Sequence, residues 1–250
     1  MLRITDARTG ASVDATPARR GLTRVEAHVS GFDTGALRVL LVTDLLVRAL
    51  ELGGTPVWAV LRTGHEQPEL RAGAAALGIR PLEDGREVGR SLGEKQVIHV
   101  VAADAEADAG PEADQGPEGV RLAVAPVHAA SPAPLAGADP VALRLALLTP
   151  RRDRPVRLDT EALTEAHDTL ARWRHAVAGW ARHPSRPIPD HVRMELRAAW
   201  EDDLDVPGVL RLLARVAEEP ELPDGARFET YAYADRLLGL DLVRDLGHPL

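Results

Sequence analysis

Apolar and polar residues alternate between residues 25 and 30 with the two-residue period of a half-buried strand. From Ala36 to Leu52 apolar residues dominate, and Gly53-Gly54 follows, so we predict a helix that ends there. The apolar run from Thr55 to Leu61 predicts a second, buried strand. Three charged residues of the helix share one face, which predicts an exposed stripe: Asp44, Arg48 and Glu51. The segment is therefore predicted to be a βαβ unit, and such sheets bind ligands where the first strand ends.

A turn cluster, Ser30 to Gly35, lies between this strand and the helix. Asp33 and Thr34 are both residue types that favour the N-cap position. The flanking sequence predicts further elements of the same half: a hairpin at 2–13, helices at 69–77 and 83–90, and strands at 96–102 and 120–127.

From Pro140 onward the pattern is helical throughout. Asp139 caps a helix with Pro140 at its first position, which is a favourable arrangement. Further helices are predicted over 159–182, from caps at Asp190 and Asp205, and over 228–238. We predict an α/β fold: a truncated Rossmann-like (HUP-type) parallel-sheet domain in residues 1–135, followed by an antiparallel helical bundle in residues 136–250.

Composition excludes several classes of function. The 250-residue chain has no cysteine, so disulfides, thiolate catalysis and Cys-based zinc sites are excluded. Six acidic residues and no basic residue lie in 102–119, which predicts a mobile acidic loop. With a net charge of −8, the chain lacks the excess of basic residues that is typical of DNA-binding proteins. Without a signal peptide or a run of about 18 apolar residues, we expect a cytoplasmic protein that does not associate with membranes.

The C-terminal half resembles a known family. Residues 138–177 contain DPVALRLALL and a long helix, and residues 195–216 contain DDLDVPGVL. Both are similar to the region after the KMSKS loop in class I cysteinyl-tRNA synthetases, and closer to their relative in mycothiol synthesis, the cysteine:glucosaminyl-inositol ligase. Residues 2–13 and 24–54 are similar to the family's opening hairpin and ATP-site βαβ unit. The synthetases carry a further anticodon-binding region, so the end of this chain after the bundle favours the ligase branch.

The resemblance implies an ATP site in which histidines of a HIGH-type motif meet the phosphates at the amino end of the first helix. The matching positions here are Asp33-Thr34-Gly35-Ala36, so both histidines are replaced. Two anions about 4 Å apart repel by roughly 1 kcal/mol in water and by several at lower dielectric, so Asp33 opposes phosphate binding. The implied lysine loop falls near residues 128–138, which contain no lysine or arginine. The implied zinc site, built from Cys and His, has no cysteine to use.

We therefore expect a degenerate family member with no catalytic residues and no metal site. The vestigial nucleotide-binding residues are those of the turn: Gly31, Asp33, Thr34 and Gly35. Candidates for a residual substrate pocket are Ser30 and two residues at positions where the family has strand-end histidines, His99 and His128. ATP remains a candidate ligand, and zinc is not expected.

Two functional interpretations follow. The first is a cysteinyl-tRNA synthetase-like pseudoenzyme that lacks HIGH, KMSKS and zinc-site residues and acts as a binding, regulatory or accessory protein. Its partner would be a second copy of the chain or a paralogous or biosynthetic enzyme. The alternative is an ATP-dependent amino-acid-activating ligase with a rebuilt active site. Acidic charge argues against tRNA, for which an arginine run at 151–157 is the only support; we interpret that run as a loop facing the sheet domain.

Overall fold

The structure is a computed structural model that describes residues 1–16, 21–64, 68–85, 94–103, 119–129 and 137–247. An N-terminal hairpin pairs β1 (Arg3–Thr5) with β2 (Ser12–Asp14) in antiparallel fashion, as predicted. The hairpin is tied to the edge of the main sheet, because the Ala7 N–H donates to the carbonyl of Arg121 at 2.8 Å.

Five parallel strands form the central sheet in the order β5-β4-β3-β6-β7. The strands are β3 (Leu22–His28), β4 (Val57–Arg62), β5 (Glu83–Asp84), β6 (Glu94–Ala102) and β7 (Val120–Val124). The strand order reverses between β3 and β6, and the crevice beyond the carboxyl ends of such strands is where open α/β sheets bind ligands. This topology confirms the predicted Rossmann-like class.

Helix α1 (Thr34–Leu52) is buried on nearly all sides, because the sheet covers one side and the helical region another. That position explains why its sequence is apolar almost throughout rather than along a single stripe. Asp33 is its N-cap and Gly53 its C-cap. The predicted βαβ unit is therefore confirmed.

The predicted exposed stripe on α1 is wrong at Asp44, which is only 4% exposed. Its carboxylate accepts hydrogen bonds from Arg48 at 2.8 Å and Arg80 at 3.0 Å. It also accepts one at 2.9 Å from Arg144, which belongs to the helical region and is fully buried. A buried ion cluster therefore joins α1 to the helical region.

The helical region contains α3 (Pro140–Leu148), α4 (Thr160–Trp180), α5 (Asp190–Glu201), α6 (Val206–Glu218) and α7 (Asp224–Leu238), which follow the short helix α2 (Pro68–Ala76) of the sheet half. Asp139 and Asp159 cap α3 and α4 through their side chains, as predicted for Asp139. The prediction that Asp190 is a cap is wrong. Pro189 holds the N-cap position and Asp190 lies in the first turn. There the positive end of the helix dipole still stabilises the negative charge of Asp190.

Two predicted elements of the sheet half also differ. Glu83 and Asp84 form the edge strand β5 beside β4 and do not begin a helix; residues 86–93 lie outside the described residues. The strand predicted over 120–127 ends at Val124, because Pro126 has no N–H to continue a ladder. The chain then forms β8 (Val127–Ala129), which pairs in parallel with β9 (Val156–Leu158).

Two further predictions fall largely on undescribed residues. The acidic segment lies outside the described residues between 104 and 118, so its mobility stays a prediction. Residues 130–136 are likewise not described, so the domain division at residue 135 stays a prediction. No helix within the described ranges is long and apolar enough to span a bilayer.

Candidate functional site

Polar side chains of two neighbouring strands meet on the face of the central sheet opposite α1. Val25 and Ala27 of β3 lie in the hydrophobic core, so Glu26 and His28 point to the other face. His99 of β6 is the register partner of Glu26, which places it on the same face. We call Glu26, His28 and His99 the Glu-His-His cluster; their ligand atoms all lie within 4.8 Å of one another.

The polar atoms of the cluster are close together. His28 Nε2 lies 3.0 Å from His99 Nδ1, which is hydrogen-bond distance between the two rings. Glu26 Oε2 lies 3.6 Å from His28 Nε2 and 3.3 Å from His99 Nδ1. One carboxylate oxygen therefore faces two imidazole nitrogens at nearly equal distances.

The other carboxylate oxygen of Glu26 is held by arginines. Arg62 Nη2 donates to Oε1 at 2.8 Å, and Arg24 Nε lies 3.1 Å from the same atom. Burial raises the pKa of Glu26, but the interactions of its carboxylate with His28, His99 and Arg62 outweigh burial and hold the pKa well below its ordinary value. The carboxylate is therefore ionised and fixed in orientation at neutral pH.

Access to the cluster is from the His28 side. Glu26 and His99 are 3% and 2% exposed, whereas the His28 side chain is 35% exposed. Gly119 approaches the ring of His99 so closely that an added Cβ would lie 3.0 Å from Nε2 and 2.7 Å from the carbonyl of Val97. Its φ of +149° also favours glycine. A glycine at position 119 therefore allows the start of β7 to pack against the buried imidazole of His99.

The turn that follows β3 places Asp33 at the amino end of α1. Asp33 Oδ1 accepts a hydrogen bond from the Ala36 N–H at 2.7 Å, and the Asp33 carbonyl accepts from the Leu37 N–H at 3.1 Å. The same Oδ1 would lie 3.2 Å from a Cβ at Gly35. The end of the helix dipole that attracts anions therefore already has a carboxylate bound to it.

The sequence-predicted site residues fall into separate places. Gly31, Asp33, Thr34 and Gly35 lie together in the turn and first helical residues, and Ser30 is exposed just before them. His99 lies in the Glu-His-His cluster on the central sheet. His128 is exposed on β8, in a different sheet, where its register partner is Arg157. The functional roles of all these residues stay predictions.

Sequence reasoning did not single out Glu26 and His28 as site residues. The alternating pattern nevertheless indicates that Glu26 and His28 lie on the same face of the strand, since both occupy its polar positions. What the sequence does not give is the register that brings His99 beside Glu26. The sequence led us to expect neither a metal site nor zinc, and that expectation did not consider Glu26, His28 and His99, which together could hold a metal ion without a cysteine.

Comparison with known proteins supports the resemblance described above. No protein-family model matches the chain. The L-cysteine:1D-myo-inositol 2-amino-2-deoxy-alpha-D-glucopyranoside ligase of Acidothermus cellulolyticus is 38% identical over 108 residues, which cover 43% of this chain and 26% of that protein. The protein of the same name from Streptosporangium roseum is 38% identical over 113 residues, 42% of this chain and 26% of that protein. That of Thermobispora bispora is 42% identical over 76 residues, 30% of this chain and 18% of that protein.

The matches therefore confirm a relationship to the cysteine-ligase branch of the class I synthetase-like proteins over about two fifths of the chain. The chain spans about a quarter of the length of the first curated relatives that it matches.

Proposed function

From this relationship to the L-cysteine:1D-myo-inositol 2-amino-2-deoxy-alpha-D-glucopyranoside ligases, we propose that the protein is a ligase-like pseudoenzyme. It retains the sheet and the helical region of that family but does not form an aminoacyl adenylate. It acts instead as a binding, regulatory or accessory protein. One observation carries the proposal: the Asp33 carboxylate caps the helix whose amino end would have to receive ATP phosphates.

Charge repulsion also opposes ATP at this position. A phosphate placed about 4 Å from the Asp33 carboxylate is repelled by roughly 1 kcal/mol in water and by about 4 kcal/mol at the effective dielectric near a protein surface. The Ala36 N–H that would donate to a phosphate already donates to Asp33 at 2.7 Å. Binding ATP there requires the cap to be displaced, which itself costs about 1 kcal/mol.

Composition supports the same conclusion independently. Residues 128–138, where the resemblance implies the cationic loop, contain neither lysine nor arginine. No cysteine is available for the implied thiolate-containing zinc site. Because preorganised charge usually contributes more to such catalysis than any other effect, the loss of these cations is expected to remove adenylation.

The test is pyrophosphate exchange into ATP, measured with cysteine and a panel of other amino acids. We expect no exchange above a no-enzyme blank with any of them. Amino-acid-dependent exchange by the unmodified protein would overturn the proposal.

A second experiment isolates the charge of Asp33. The substitution Asp33→Asn keeps a good capping residue and removes the negative charge. Asp159→Asn is a matched control, because Asp159 caps α4 in the same way, accepting from the Ala162 N–H at 3.0 Å. We expect inorganic pyrophosphate to bind more tightly to the Asp33→Asn variant than to the control. Equal binding by the two variants would show that Asp33 does not repel phosphate.

The accessory role requires a partner, and we propose a second copy of the chain or a paralogous or biosynthetic enzyme, in the cytoplasm. Light scattering after size-exclusion chromatography tests the first form directly. A monomer mass at every concentration up to about 100 μM would exclude a homodimer with a micromolar or lower dissociation constant.

The alternative function is an ATP-dependent amino-acid-activating ligase with a rebuilt site. The observation that favours it is the placement of the ionised Glu26 and two imidazoles on the strands that flank the switch point. Backbone N–H groups between Gly31 and Gly35 would then have to hold the nucleotide. Thermal-shift measurements with ATP and the amino-acid panel distinguish the two, since only the ligase requires stabilisation by ATP.

A further inference from the structure

We propose that Glu26, His28 and His99 form a mononuclear site for a divalent first-row transition metal, and zinc is the ion that we expect to bind. The site uses one carboxylate oxygen and two imidazole nitrogens, a ligand set without cysteine. It does not depend on the proposed function, because a pseudoenzyme and a ligase could each hold the ion.

The distances fit tetrahedral coordination. With metal–ligand bonds of about 2.0–2.1 Å, two ligands of a tetrahedral zinc ion lie about 3.3–3.4 Å apart. The three pairs of atoms in the cluster are separated by 3.0 Å, 3.3 Å and 3.6 Å. An ion about 0.7 Å above the plane of the three atoms reaches all of them at normal bond lengths.

The backbone fixes this arrangement. Glu26 and His28 are two residues apart on β3, which puts both side chains on one face of the strand. His99 is bound into the same sheet as the neighbour of Glu26 in register. Sites on central strands are held more rigidly than sites on loops, so the ligands need little rearrangement to receive an ion.

The charges around the cluster orient the carboxylate ligand. Arg62 and Arg24 contact Oε1, so Oε2 is the oxygen turned toward the two imidazoles. Contacts of this kind position metal-bound carboxylates in proteins. The two guanidinium groups also repel a cation, and this lowers the expected affinity relative to a site with the same ligands and no arginine nearby.

Among the residues that the structure describes, the cluster supplies three metal ligands. Three protein ligands leave a fourth tetrahedral position for water or another small ligand. The partly exposed His28 lies on the side from which an ion or a water molecule could enter, whereas Glu26 and His99 form the buried floor.

Zinc binding to the chelator-treated full chain tests the proposal, measured by calorimetry and by competition with a chromophoric zinc chelator. We expect one zinc ion per chain. Replacing zinc with Co²⁺ should give the intense visible absorption of a tetrahedral cobalt centre. Sub-stoichiometric zinc, or only the weak spectrum of octahedral cobalt, would overturn the proposal.

Two variants locate the ion. His28→Gln removes a ligand at the accessible edge of the cluster, and His128→Gln is the matched control, because His128 is an exposed strand histidine outside the cluster. We expect His28→Gln to weaken zinc binding at least about 100-fold and His128→Gln to leave it unchanged, with both variants folded by circular dichroism. Equal affinity of His28→Gln and the unmodified protein would overturn the assignment. So would a loss of binding in His128→Gln alone.

Metal binding and pyrophosphate exchange are separate readouts. A chain that exchanges pyrophosphate but binds no zinc refutes the pseudoenzyme and the metal site together. A chain that binds zinc without exchange supports both.

Discussion

Replacing Asp44 with asparagine removes the buried carboxylate that Arg48, Arg80 and Arg144 share. The Asp44 side chain is 1% exposed and accepts hydrogen bonds from Arg48, Arg80 and Arg144. Arg144 is the most constrained partner, with a side chain that is 0% exposed. Its guanidinium also donates to the carbonyls of Leu77 and Leu238, at 2.9 Å and 2.7 Å, so it cannot swing out toward water without breaking three contacts.

The expected loss of stability follows from the charge that is left without a counterion. Removing one partner of a buried ion pair leaves the other charge without a counterion, which typically costs about 3–5 kcal/mol. The whole free energy of unfolding of a domain is about 5–15 kcal/mol, so the Asp44→Asn variant should be near the limit of stable folding. The cluster joins α1 to the helical region, and the loss should therefore affect both parts in one transition.

Urea unfolding followed by circular dichroism measures this effect. Glu51→Gln is the matched control, because Glu51 also pairs with Arg80 but its side chain is 46% exposed. An exposed pair is worth about 0–1 kcal/mol, so the control should unfold almost like the unmodified protein. A loss of less than about 1 kcal/mol for Asp44→Asn would refute the reasoning, since it would mean that water or another group compensates Arg144.

The same substitution has a pH signature. Burial raises the pKa of Asp44, but Arg144 and Arg48 outweigh it and hold the pKa below its ordinary value of 3.8. A carboxyl group with a lowered pKa in the folded state stabilises above its unfolded pKa and loses that contribution as the pH falls through its folded pKa. The stability difference between the unmodified protein and Asp44→Asn should therefore be constant from about pH 5 to 8 and shrink below about pH 4.

Two further substitutions test particular contacts by chemical denaturation. Gly239→Ala should destabilise the protein more than Gly54→Ala. Both glycines have positive φ, but only at Gly239 would the new Cβ meet a side chain, because it would lie 2.8 Å from Arg144 Nη2. Equal losses of stability would contradict this steric assignment. Tyr231→Phe should cost about 0.5–1.5 kcal/mol, because the buried Tyr231 hydroxyl donates to the Leu213 carbonyl at 2.8 Å and the substitution removes that hydrogen bond. A loss below about 0.5 kcal/mol would contradict a stabilising contribution from this hydrogen bond.

Local pattern was sufficient for much of the fold. The βαβ unit could be predicted because strand alternation, capping residue and terminal glycines all agree between residues 25 and 61. Asp33 and Asp139 were recognisable as caps because each precedes an apolar helical run. These features depend only on neighbours in sequence.

Features that depend on distant partners were not predictable in the same way. Charged residues spaced as Asp44, Arg48 and Glu51 look the same on an exposed helix face and in a buried ion cluster. The distant partners Arg80 and Arg144 distinguish the two cases. The Glu-His-His cluster likewise requires the register between β3 and β6. A sequence without cysteine does not by itself predict a zinc site, although carboxylate and imidazole groups suffice as zinc ligands.

The central claim is that the amino end of α1 no longer receives ATP. Calorimetric titration of the unmodified protein with Mg-ATP tests it most directly. The account predicts no saturable heat up to millimolar nucleotide, because the Asp33 carboxylate already accepts the Ala36 N–H at the amino end of α1. Saturable one-to-one binding in the micromolar range, weakened by substitutions at Gly35 or Thr34, would contradict it.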